Sequence, residues 1–272
     1  MAFTSIIETI DSLPPLPDSV QKLEQLFSRG DPDIKELIKI IETDPLLTAN
    51  ILAKANSPIY SFSKQIVSVM QAVTLLGLTT IRGLILASVI EGNFDLDMRP
   101  YGISNEQYAL LSTIHSTLMF QWFLGVDIEK AKLLTPIAFL MEIGKVVIAQ
   151  AISEDSAGEL FSSIWHKSGS VAEAEKTFTA MTSTQISALL FEHWYFDDAF
   201  AACMEYLDNS DNIPPDMEEM VHALEVVRTA ANIEEQLSES SIEKAAVLAE
   251  KMGFDKERFL LPAMRVKKKF ML

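Results

Sequence analysis

Apolar residues recur three and four positions apart along most of the chain, and no run of strict alternation demands a strand. The fold class this predicts is all-α. In the first third the periodicity places helices at Asp18 to Ser28 and Ile34 to Glu42, followed by a sharp turn at Thr43-Asp44-Pro45. Asp44 can cap and Pro45 suits a first helical position, so a further helix runs to Ala55 and stops at Asn56-Ser57-Pro58. Ser68 opens a helix that ends at Gly77, and Thr79 opens another that runs to Ile90. A Gly-Asn-Phe-Asp-Leu-Asp loop follows.

In the second third, helices are expected from Asn105 to Leu124, from Ile128 to Ile152 with a break at Thr135-Pro136, and from Ser156 to Lys167. Val171 to Ala180, Ser183 to His193 and Asp198 to Leu207 complete a compact bundle. Capping-box spacing marks Asp33 with Glu36, Ser68 with Gln71, Ser104 with Gln107, Ser170 with Glu173, Thr182 with Gln185, Asp216 with Glu219 and Ser240 with Glu243. Turn formers and two prolines between Asp208 and Pro215 set a domain limit. The expected organisation is a helical domain over residues 11–210 and a C-terminal helical extension over 211–272 with two or three helices.

Composition narrows the class of partner. The net charge of −16 opposes a nucleic-acid role, which would need a basic stripe to gain from counterion release. The one basic cluster is Arg265 with Lys267, Lys268 and Lys269, beside Phe270 and Met271. It reads as a solubilising helix end favoured by the helix dipole, or as a partner-docking or membrane-surface tail. The apolar stretches Val73 to Ile90 and Leu133 to Ala149 are interrupted by Arg82, and by Glu142 with Lys145, so they read as core helices and not membrane spans. A single cysteine, Cys203, and a start without a basic, then apolar, leader give the expectation of a cytoplasmic protein.

No phosphate-binding Gly-rich loop, Gly-x-Ser-x-Gly elbow, His-Glu-x-x-His helix or Cys-x-x-Cys pair occurs. His115, His166, His193 and His222 stand too far apart for local ligand pairing, so no metal and no cofactor is expected. His115 lies near an apolar helix face among Ser112, Thr113, Ser116 and Thr117, which suits a pocket wall. A core histidine satisfied by one hydrogen bond is the plain alternative. Glu142 has Lys145 three positions on, a spacing that makes a surface ion pair, or else a residual polar pocket shared with His115.

Leu13-Pro-Pro-Leu-Pro17, the run from Asp44-Pro-Leu-Leu-Thr-Ala-Asn to Ser57, and Gln71-Ala-Val-Thr-Leu-Leu-Gly77 resemble the HDOD family in order and spacing. Ala138-Phe-Leu-Met-Glu-Ile-Gly-Lys-Val146 is similar to the counterpart of the His-Asp helix of HD-type phosphohydrolases. The resemblance implies an HD-like helical bundle used in bacteria as a regulatory or signalling module. HD enzymes bind divalent metal through an upstream His, an adjacent His-Asp pair and a later Asp. By that resemblance His115 fits the upstream position, Met141 and Glu142 replace the His-Asp pair, and Ser183 stands where relatives carry another His.

A thioether is a poor ligand for ions that activate water, so the resemblance implies a non-catalytic module. Its vestigial pocket is His115, Met141, Glu142 and Lys145, and it binds a protein partner or a small effector. The Gly-Tyr-Pro signature of cyclic-di-GMP hydrolases is absent. The alternatives are a divergent metal phosphohydrolase using His115 and Glu142, and a nucleotide sensor in which Lys145 or Arg82 contacts phosphate.

Overall fold

A computed structural model describes residues 3–29, 32–60, 62, 64–209 and 212–270. Ser210 and Asp211 of the expected domain limit, and Met271 beside the basic cluster, lie outside the described residues. Among the described residues there is no β-strand, only an isolated bridge between Ala231 and Gln236. Contacts divide the chain into two units, Leu13–Phe94 and Met1–Ser12 with Asp95–Leu272.

The chain opens with α1 (Phe3–Asp11), which belongs to the larger unit and buries Ile6 and Ile10, one helical turn apart. The smaller unit holds α2 (Asp18–Phe27), α3 (Ile34–Glu42), α4 (Pro45–Ala55), α5 (Val69–Leu76) and α6 (Leu78–Asn93). Asp44 starts α4 as expected, its Oδ1 accepting the Leu47 N–H at 3.0 Å. Ser19 of α2 donates to Oδ2 at 2.6 Å, so one carboxylate fixes both the helix start and its neighbour. The Leu47 amide first, and then Ser19, hold Asp44 below the ordinary carboxylate pKa. At the other end of α4, Asn56 donates to the Ile66 carbonyl and accepts from the Ile66 N–H, both at 2.8 Å, closing the intervening loop. The Asp44 to Ser57 motif is thereby a structural element, a capped helix with a loop clasp.

The larger unit is arranged around α7 (Asn105–Phe123), whose start is a full capping box of Ser104 and Gln107. It forms a hairpin with α8 (Ile128–Leu140). Then come α9 (Gly144–Glu154), α10 (Gly158–Ser168), α11 (Val171–Thr179), α12 (Ser183–His193) and α13 (Asp198–Leu207). Three more helices, α14 (Glu218–Ala230), α15 (Glu239–Lys251) and α16 (Lys256–Phe270), close the unit, with α14 and α16 packed on α7. Trp122 anchors this contact edge-on to Phe123, Phe254 and Phe259, with ring centroids 5.0–5.1 Å apart. Arg228 of α14 donates to Asp208 at 2.7 Å and to the Leu207 carbonyl at 2.9 Å, tying α14 to the end of α13.

The periodicity places most of these helices within two residues of where they stand, and the differences have local causes. Pro136 lies inside α8 and does not break it; the break falls at Met141–Ile143. The cause is non-local. An alanine Cβ at Gly144 would lie 1.9 Å from the Ser183 carbonyl oxygen, so the backbones of α9 and α12 touch there. The Gly144 N–H leaves the helix ladder and donates to Ser187 Oγ at 2.9 Å. Of the capping-box pairs, Ser104–Gln107 and Thr182–Gln185 are complete. Asp33, Ser68 and Ser170 cap alone, while α14 and α15 start at Met217 and Ser238 and not at Asp216 and Ser240. The stretch Ile128–Glu154 is long and apolar enough to cross a membrane by composition, yet 83% of its most apolar window is buried in the protein's own core.

Candidate functional site

The turn forced at Met141–Ile143 delivers two charged side chains into the interior of the larger unit. Glu142 and Lys145 are 5% and 6% exposed, so their i,i+3 pair, with Nζ to Oε2 at 2.9 Å, is a buried ion pair and not the surface pair expected. Burial reverses its energetics, because taking ions out of water costs several kcal/mol each unless every polar atom finds a partner. Lys145 finds three. Its ammonium also donates to Glu175 Oε1 of α11 at 3.0 Å and to Ser183 Oγ at the start of α12 at 2.8 Å. An ammonium has three N–H bonds, and these three oxygens account for all of them. The Tyr101 ring stands 5.6 Å from Nζ.

Glu175 is itself fully engaged. Its Oε1 also accepts from Tyr101 Oη at 3.0 Å, and its Oε2 accepts the Ser183 N–H at 2.8 Å. The pKa directions follow. Burial pulls Lys145 down, but Glu142 and then Glu175 outweigh it and leave the ammonium above its ordinary value. Burial pulls Glu142 up, but Lys145 and then Arg228 outweigh it and hold the carboxylate below its ordinary value. Burial, and then the Glu175 charge, push the Tyr101 phenol well up. At neutral pH Glu142 is therefore a carboxylate and Lys145 an ammonium.

His115 is fully buried on α7, within the electrostatic reach of Glu142 and Lys145. Its Nε2 lies 2.7 Å from the Ala231 carbonyl just past α14, which makes Nε2 the protonated nitrogen, since a carbonyl only accepts. Nδ1 is buried with no hydrogen-bond partner. Burial above all holds the imidazole below its ordinary pKa and hence neutral. Met141 is fully buried, and its carbonyl accepts weakly from Ser187 Oγ at 3.4 Å. The structure thus gathers His115, Glu142 and Lys145 into one electrostatic neighbourhood, and buries Met141 in the core.

Sequence reasoning missed Glu175, Tyr101 and the role of Ser183. Glu175 had a signal, since it shares a helix face with Val171, Ala174 and Phe178, an apolar stripe where a carboxylate needs a reason. Arg82, the other cation considered for phosphate, is bound in the smaller unit by Glu24 at 2.5–3.1 Å. Cys203 is no nucleophile here, because burial pushes its thiol up to about 12.

A divalent ion of the kind HD enzymes hold does not fit these residues. Glu142 and Glu175 are occupied by the ammonium, His115 offers one bare nitrogen, and Met141 offers only sulfur. Among the described residues, no three His, Cys, Asp or Glu side chains converge to hold a metal.

The sequence matches the HDOD domain family over residues 13–210. Among solved structures it is similar to a virulence factor from Campylobacter jejuni subsp. jejuni, at 26% identity over 99% of this chain and 96% of that one, with TM-score 0.61. It is similar to a candidate phosphohydrolase from Shewanella amazonensis SB2B, at 19% identity over 98% and 96%, with TM-score 0.67. A candidate signal transduction protein from Marinobacter aquaeolei VT8 gives TM-score 0.74 at 20% identity, over 96% of this chain and 59% of that longer one. The latter two likenesses show the fold alone. Comparison with curated proteins gave no match.

Proposed function

Since the chain belongs to the HDOD domain family, relatives of the HD phosphohydrolases, we propose that it is a non-catalytic regulatory module that binds a protein partner or a small effector. Residues 11–210 are the HDOD-type domain and residues 211–272 a helical extension, and His115, Met141, Glu142 and Lys145 are the vestigial pocket. The observation that carries this reading is the Lys145 ammonium bound by Glu142, Glu175 and Ser183, in a centre where hydrolysis would need a metal-bound hydroxide. The same observation weighs against phosphate sensing by Lys145, whose three donors are already used inside the fold.

Protein purified without chelators and assayed on nucleotides and phosphoesters with Mg²⁺, Mn²⁺ or Zn²⁺ is expected to turn over none of them. Turnover that disappears in a His115→Ala protein with an unchanged circular dichroism spectrum would overturn the proposal in favour of a divergent hydrolase.

A further inference from the structure

The oxygen cage at the centre of the larger unit has the form of a cation site. Two carboxylates and a hydroxyl, carried by three different segments, point at one position from 2.8–3.0 Å, and a cation stands there. That cation is not exchangeable, because it is the end of a side chain rooted on α9. Each of its partners is also held from behind. Tyr101 and the Ser183 N–H fix Glu175, the contact at Gly144 fixes the start of α12, and the Met141–Ile143 turn fixes Glu142. Cage positions therefore depend on packing as well as on the cation they surround.

We infer that the interior of this protein contains a cation-binding cage whose occupant, Lys145, is built into the chain, and that cutting the lysine back to Cβ leaves a site for a free small ammonium ion. The chemistry specifies the ligand. Lys145→Ala removes Cγ, Cδ, Cε and Nζ, and n-propylammonium brings back one positive charge, three N–H donors and a short apolar chain. Divalent metals are poorer occupants, since they require shorter bonds and more oxygen ligands than two carboxylates and one hydroxyl supply. The inference rests on the metal-free reading of this centre, but it is tested on a different protein and with a different readout.

The experiment is thermal unfolding of full-length Lys145→Ala with n-propylammonium chloride, against tetramethylammonium chloride at equal ionic strength. The latter has the charge but no N–H. Propylammonium is expected to raise the variant's midpoint by about 2 °C or more, saturably, while leaving wild type unmoved. Tetramethylammonium is expected to raise neither. Adding Glu175→Gln to Lys145→Ala is expected to abolish the shift. Equal shifts for both salts, or for wild type and variant, would overturn the inference. Should Lys145→Ala fail to fold alone, refolding yield with and without propylammonium gives the same discrimination: recovery only with propylammonium supports the cage, and recovery with neither salt refutes it.

Discussion

Lys145→Met is expected to destabilise the larger unit by about 3–5 kcal/mol, the range found when one partner of a buried ion pair is removed. Methionine fills most of the volume, so the loss is electrostatic: Glu142 and Glu175 are left as buried like charges around an apolar tip. Protonating Glu142 relieves that repulsion, so the gap between wild type and variant narrows as pH falls through the carboxylate range. Wild type behaves differently. Glu142 has a lowered folded pKa, so its contribution is complete above the ordinary value of 4.5 and is lost as pH falls through the folded value. Lys145 has a raised folded pKa, so its contribution is complete below the ordinary value of 10.5 and is lost as pH rises through the folded value. His115, held neutral by burial, begins to withdraw stability as pH falls below its ordinary value of 6.5, where the unfolded chain takes up the proton first. Denaturant titrations of wild type and Lys145→Met between pH 4 and pH 8 check the narrowing gap and the His115 contribution. A difference under about 1 kcal/mol at pH 7 would mean that the pair is not buried as described.

Gly144→Ala is expected to cost about 3 kcal/mol, the upper end for overpacking. Helix propensity works weakly in the opposite direction, since the preference for alanine over glycine reaches about 1 kcal/mol only in a helix interior and Gly144 is the first residue of α9. The clash wins because the obstacle 1.9 Å from the new Cβ is the Ser183 backbone carbonyl, which cannot rotate away as a side chain could. The helices must separate, which takes Ser183 off Lys145 and the Gly144 amide off Ser187. Equilibrium urea unfolding measures the cost, and an unchanged or raised midpoint would show that the close approach of α9 and α12 is absent.

How legible each element was follows from the range of the forces that set it. Ile34 to Glu42, Pro45 to Ala55, Ser183 to His193 and Asp198 to Leu207 stand where the sequence places them, because their caps and apolar stripes lie within a few residues of each other. The turn at Met141–Ile143 was not legible, since its cause is a backbone about 40 residues away that no local pattern encodes. Pro136 misled for the complementary reason: a local breaker inside a helix that tertiary packing holds together. The candidate site divides in the same way. The Glu142–Lys145 pair is an i,i+3 feature and was visible, but its burial and its third partner, Glu175, depend on α11 folding back over the centre. His115 was recognisable as a histidine near an apolar helix face, and its burial with one hydrogen bond is what the plain core reading expects, whereas its acceptor, the Ala231 carbonyl, carries no side-chain signal at all.

The most direct test of a centre held by Lys145 in place of a metal is the metal content of wild-type protein, purified without chelators or a metal-affinity tag and measured by mass spectrometry. The expected result is far less than one equivalent of Fe, Mn or Zn, unchanged in His115→Ala. Near-stoichiometric metal that disappears in His115→Ala would contradict the account and return the chain to the hydrolases.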